Sequence, residues 1–249
     1  MKPGLPLTAA LCLWLPIAAP APAQTGPKPL ANPVPVNPAV TNVVFQRLDD
    51  HRFQVGQVIL HKTSRTVSFP AVVNMNQGLV EYFCVGVQGK VHESVLRTEV
   101  EPYHVHVAML LLGAKGAPAG QLNEDYRKPV PGDAITLTVA WEDKGKKQER
   151  RAEELVWDVA NQRPMSRGPW TYSGSRVFDG LFLAQRDRSF VAIIGDIDAL
   201  VNNPRPRRER DDNWMVNTNT CPPLGTPVTL TFQLGATGSP TNAPPQSSP

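Results

Sequence analysis

The sequence predicts a β-rich α+β fold, a single domain of mostly antiparallel strands and hairpins with one packed helix and short helical turns. Three observations lead to it. Short β-branched runs, each bounded by Gly or Pro, recur between residues 43 and 234. One run, at about 102–113, is continuously apolar and carries the start and stop residues of a helix. The roughly 190 residues that hold these elements show no internal repeat and fall within the size of one domain.

Taken in order, "FQVGQVIL" and "RTVSFPAVV" read as the first strands. "LVEYFCVGV" and "KVHESVL" flank Gln88-Gly89, a pair suited to a two-residue hairpin loop in which glycine supplies a positive φ. The helix follows in "EPYHVHVAMLLLGAKG", with Pro102 in the first turn and Gly113 at the C-terminal cap position. "AITLTVAW" alternates cleanly and runs into the turn "DKGK". "RRAEELVWDV" is ambiguous, because Glu153-Glu154-Leu155 favours helix and Val156-Trp157-Asp158-Val159 favours strand. "GLFLAQ" and "FVAII" flank "RDRS" as a second hairpin, "DIDALVNN" is a short helical or turn element, and "TPVTLTFQL" is the last strand.

The flanks differ in kind. Lys2, the apolar stretch "LPLTAALCLWLPIAAP" and the small-residue site Ala21-Pro22-Ala23 form a signal-peptide pattern over 1–23, too short and too proline-broken for a membrane span. Cleavage near Ala23 would export the chain to the periplasm or beyond. A lipoprotein anchor is excluded because Leu11, which is not small, precedes Cys12. Residues 24–42 form a proline-punctuated linker, and 235–249 a small-residue polar tail with nothing to bury, read as disordered. Many of the 26 prolines sit in these two flanks. The formal net charge of +3, with 19% charged residues, gives no reason to expect nucleic acid as a partner. No transmembrane segment is expected in the mature chain, and the partner itself is unknown.

Export leaves Cys84 and Cys221, and an oxidising compartment permits a bridge between them. A buried Cys84 acting as a small apolar residue is favoured over that pairing. No cofactor is expected: two distant cysteines do not make a zinc or iron–sulfur ligand set. Phosphate-binding glycine loops, serine-hydrolase elbows and "HExxH" helices are all missing from the sequence.

The candidate chemistry gathers in "GKVHES". His92, Glu93 and Ser94 are the catalytic candidates, and His92, Glu93 and Asp196 the metal candidates. In a hairpin, alternation places Glu81, Phe83, Val85, His92, Ser94 and Leu96 on one face, with Tyr82, Cys84, Val91, Glu93 and Val95 on the other. His92 and Glu93 then diverge, and a buried Glu93 needs a partner. His104 and His106 share a helix two positions apart, so their rings point about 200° apart and chelate poorly. Asp196 in "GDID" more readily caps a turn than holds a cation. Trp170, Tyr172 and Ser175 in "GPWTYSGS" are ligand-binding candidates suited to carbohydrate stacking. "RPRRERDD" neutralises itself and reads as a solvated loop.

The succession "VSFPAVVNMNQGLVEYFCVGVQGKVHESVL", "HVAMLLLG", "VAWED", "PWTYSGS", "DIDALVNN" and "DDNW…PPLGTPVTL" resembles the YdjY-domain family of exported bacterial proteins. The likeness covers about Phe53 to Leu234 and is most specific from "GKVHES" to "LLLG". It implies an exported location and assigns no residue roles. The resulting expectation is a non-catalytic exported binding or interaction module. The alternative is a metal-dependent or hydrolytic enzyme using His92 and Glu93.

Overall fold

The computed structural model describes residues 44–235, along with Met1. The expected signal segment, the linker and nearly all of the tail lie outside the described residues. The chain opens with a meander of β1 (Phe45–Arg47), β2 (Arg52–Val55), β3 (Val58–His61) and β4 (Thr66–Val73). β5 (Tyr82–Gly86) and β6 (Ser94–Thr98) follow, with a 3-10 turn at Val91–Glu93 between them, and then α1 (Pro102–Leu111). The long pair β7 (Asp133–Asp143) and β8 (Lys146–Arg151) turns through Lys144 and Gly145, both at positive φ, as a two-residue hairpin requires. A 3-10 turn at Ala152–Leu155 leads into β9 (Val156–Asp158), so the ambiguous segment is helical first and extended second. The remaining elements are β10 (Arg163–Pro164), β11 (Trp170–Tyr172), β12 (Val177–Phe178), β13 (Leu181–Phe182), α2 (Leu183–Asp187), β14 (Ser189–Ala192), β15 (Val201–Asn202), β16 (Trp214–Val216) and β17 (Pro227–Leu234).

The strands close into a barrel, which the sequence did not reveal. The order β4-β17-β7-β11-β15-β14-β5-β6 returns to β4 through pairing of Val72 with Arg97 and of Val73 with Leu96, giving eight strands in a ring. Closure removes most of the open edges that a flat sheet would present. The interior is filled rather than hollow. Phe69 meets Phe190 at 5.5 Å and Phe232 at 5.4 Å between ring centroids, and Phe83 meets Trp170 at 6.0 Å. Val67, Phe69, Ala71 and Val73 of β4 and Val228, Leu230, Phe232 and Leu234 of β17 all alternate inward, as period-two patterning demands. α1 lies against β2, β3 and β4 and buries Val105, Ala108 and Met109. Its N-terminal Pro102 and Gly113, at φ +86°, bound it as expected.

Two expected hairpins are replaced. β5 and β6 run parallel, with Tyr82 opposite Ser94 and Gly86 opposite Thr98. The chain does turn at Gln88-Gly89, but residues 87–93 then carry it back to the start of β5 before β6 begins. Such a crossover is far shorter than the dozen or so residues parallel strands generally need. The physical reason is burial: all five residues of β5 are buried, so it is a central strand between β6 and β14 rather than a hairpin arm. Gly89 serves by its size rather than by a positive φ. A Cβ there would lie 3.0 Å from Arg188 Cβ and 3.1 Å from the Gly86 carbonyl oxygen. The second hairpin fails because "LAQRD" forms α2, capped by Arg188 in the left-handed region. β14 then pairs parallel with β15 and antiparallel with β5.

The barrel wall forks at β4. On one side β4 is paired along its length with β17. Its other side pairs with β3 at Thr66–Ser68 and with β6 at Val72–Val73, leaving Phe69 to Ala71 between the two partners. Pro70 stands in this gap. Its carbonyl accepts a hydrogen bond from Thr98 Oγ1 (2.6 Å), whereas Val73 N–H points the other way, to the Thr226 carbonyl at the β17 side. Residue 70 is therefore the position whose amide would face the gap, and proline has no amide hydrogen to strand there.

Candidate functional site

The residues singled out from the sequence do not form one centre. His92 and Glu93 lie in the 3-10 turn, where successive residues rotate by about 120° instead of the 180° of a strand. Their expected divergence is overturned: His92 Nε2 is 3.5 Å from Glu93 Oε2, with His92 77% and Glu93 20% exposed. Ser94 is fully buried at the start of β6, and its hydroxyl donates to the Leu96 carbonyl (2.8 Å). The Ser94 hydroxyl is thus engaged with its own strand rather than with His92.

Glu93 crowds Glu81. Burial, and then the neighbouring Glu93 charge, raise the Glu81 carboxyl above the ordinary carboxylate range. Next to them Lys90 Nζ donates to Tyr82 Oη (2.6 Å), and Tyr82 Oη donates to Asp196 Oδ2 (3.1 Å). This chain ties the crossover to the 196–200 turn. Burial raises the Asp196 carboxyl, opposed by hydrogen bonds from the Asp198 amide (2.9 Å) and Tyr82. Asp196 thus caps its turn, as expected, instead of joining His92 and Glu93. Among the described residues no three His, Cys, Asp or Glu side chains converge as a metal ligand set.

Trp170, Tyr172 and Ser175 are not a stacking surface. Trp170 and Tyr172 are fully buried in the core, because β11 is covered on both faces. Tyr172 Oη lies 2.8 Å from His106 Nδ1 on α1, and burial pushes that imidazole down to about 4. Ser175 Oγ donates to the Asp198 carbonyl (2.7 Å) and accepts from the Ala184 amide (3.0 Å), fastening α2 to the 196–200 turn. His104 and His106 do belong to a helix, with His104 packed over Gly56.

"RPRRERDD" is not a plain solvated loop either. Arg205 is buried over the Trp170 ring at 5.2 Å and donates to Glu153 Oε1 (3.0 Å), a carboxylate with no exposure. Arg151 donates to the same Glu153 (2.8 Å). Arg208, also buried, donates to the Lys128 carbonyl (2.6 Å). Cys84 and Cys221 are free thiols; burial raises each, Cys221 to about 12.

A roomier concavity lies elsewhere, at the fork of β4. It is a groove of about 340 Å³ with a bed of Pro70, Ala71, Val72 and Val87. Gln57, from the β2–β3 turn, and Arg97, Thr98 and Glu99, from β6 and just beyond it, complete its lining. Arg97 and Glu99 are both exposed, two positions apart on an extended segment, and so present opposite charges on one side of the chain. A second cavity, of about 30 Å³, sits over Asp196 beneath the 122–131 loop, with room for little more than water. Nothing in "RTVSFPAVV" marked the groove except Pro70, which interrupts an otherwise regular alternating strand.

The described residues 44–235 therefore form a closed, densely filled β-barrel domain with a groove on its wall. The YdjY domain family matches residues 58–233, from the start of β3 into β17, and the chain belongs to that family. The match contains the whole barrel, α1 and the forked strand, while β1 and β2 precede it. No curated protein and no solved structure matches the chain.

Proposed function

We propose that this YdjY-domain protein is an exported, non-catalytic binding module whose ligand seat is the groove at the fork of β4. Export is supported by Lys2, the apolar stretch after it and the Ala21-Pro22-Ala23 site. The binding reading is carried by the groove itself. Its bed is small, apolar and free of an unpaired amide at Pro70, so a bound strand gains little from backbone pairing there. The favoured ligand is a short apolar peptide segment held by side-chain contact, with its charged ends on Arg97 and Glu99.

An unblocked Val-Pro-Val tripeptide is a direct probe, since its amine suits Glu99 and its carboxylate suits Arg97. Calorimetric titration should show weak saturable binding that drops about tenfold in Arg97→Ala, the loss of one charge-assisted contact worth ~1.4 kcal/mol. Blocking both peptide ends should cost at least as much. Equal affinity of the blocked and free peptides, or of the wild type and Arg97→Ala, would count against this seat.

A further inference from the structure

Among the described residues, β1 pairs with β2 alone, so its far side is an open sheet edge. The bonds to β2 alternate along the strand. The Gly56 amide donates to the Val44 carbonyl (3.2 Å) and the Leu48 amide to the Arg52 carbonyl (3.0 Å), with Gln46 opposite Gln54 midway between them. Val44, Gln46 and Leu48 therefore turn their amides and carbonyls toward β2, and Phe45 and Arg47 turn theirs away. Two donors and two acceptors thus line this edge without a partner strand among the described residues. β8, which pairs with β7 alone, is an edge of a different kind. Lys146, Lys147, Glu149, Arg150 and Arg151 put charge at five of its six positions, which deters an added strand. β1 is not protected in this way. Val44, Phe45 and Leu48 are exposed apolar residues, and Arg47 is the one charge among residues 44–48.

The edge is complementary to itself. Antiparallel pairing of two copies centred on Gln46 sets Phe45 opposite the partner's Arg47, and Val44 opposite the partner's Leu48. Phe45 and the partner's Arg47 then exchange both of their outward bonds, and two-fold symmetry repeats the exchange. The side chains agree with that register. Phe45, stacked on Phe53 at 5.5 Å, lies beside the partner's guanidinium, and apolar Val44 meets apolar side chain across the axis. Centring the pair on Arg47 would instead set like charges against each other. We infer that two copies of this chain join edge to edge through β1, extending the sheet across a two-fold axis at Gln46. The contact is short, so the association depends on concentration and is not permanent.

Gln46→Cys in the full chain reads the register directly. At the axis the two Cα atoms come within about 4.5 Å, a separation that a disulfide spans. Mild oxidation should give a cross-linked dimer on a non-reducing gel, well above the background set by the wild-type cysteines. Leu48→Cys is the matched control. The two residues at position 48 stand four positions apart along the paired strands, about 13 Å, and should stay at background. Sedimentation velocity over a concentration series needs no engineered thiol. The wild type should pass from monomer to dimer as concentration rises. Arg47→Pro removes an outward amide while sparing the bonds to β2, and should raise the dimer dissociation constant about tenfold or more. A wild type that stays monomeric throughout would overturn the inference, as would Leu48→Cys cross-linking as strongly as Gln46→Cys. A dimer indifferent to Arg47→Pro would place the contact on another surface and overturn it too.

Discussion

His106 makes the stability of this domain depend on mildly acidic pH. Its ring is largely buried between Tyr172, whose hydroxyl lies 2.8 Å from Nδ1, and Phe182, whose ring centroid is 4.8 Å away. Burial holds the imidazole at about 4 in the folded protein, against 6.5 for the ordinary residue. The unfolded chain therefore takes up a proton first as pH falls. Stability from this group is complete above pH 6.5, declines below it, and is lost through pH 4. At ~1.4 kcal/mol per pH unit, the separation corresponds to about 3 kcal/mol over that window. His104, lowered mainly by burial, acts in the same direction, so the comparison must isolate His106. Urea denaturation at pH 7, 6, 5 and 4 on the wild type and His106→Gln does so. The glutamine variant should be less stable at pH 7, yet the gap should close by about 3 kcal/mol on reaching pH 4. Parallel pH profiles for the two proteins would refute the argument.

Glu153→Ala should cost about 3–5 kcal/mol in urea denaturation, because it leaves buried Arg205 without its carboxylate; adding Arg205→Met should recover much of the loss, and a cost under about 1 kcal/mol would contradict the network. Gly89→Ala should destabilise by about 1–3 kcal/mol through the contact with Arg188 and the Gly86 carbonyl, seen as a lowered urea midpoint at unchanged slope. Ser94→Ala should lose about 1 kcal/mol of stability, from the bond to the Leu96 carbonyl, and leave tripeptide affinity untouched; a change in binding would place Ser94 at the ligand after all.

How much of this was readable depended on how each strand is buried. β4, β7 and β17 show alternation because one face meets the core and the other does not, and all three were found from the sequence. β5 and β14 are buried on both faces, so their apolar runs mark a strand but say nothing about direction or partner. Barrel closure rests on the pairing of β4 with β6 and with β17, contacts between distant parts of the chain that leave no periodic trace. The same limit governed the site. A strand sends His92 and Glu93 to opposite faces, whereas the 3-10 turn brings them together. The composition of "GPWTYSGS" fits a stacking surface and a core strand equally, and its aromatic residues are core. Arg205 looked solvated because its buried partner Glu153 lies 52 residues away. Pro70 was the one local sign of the groove, and its meaning appears only once both neighbours of β4 are known.

The central claim is that this domain binds through the fork of β4, and mapping the tripeptide on the folded protein tests it most directly. Titration of ¹⁵N-labelled chain with Val-Pro-Val should move the amides of Gln57, Val72, Val87, Arg97 and Glu99 together, with a single binding curve. Shifts that instead gather around His92 and Glu93, or around Asp196 and the 122–131 loop, would contradict the account and return the site to the residues first suggested by "GKVHES".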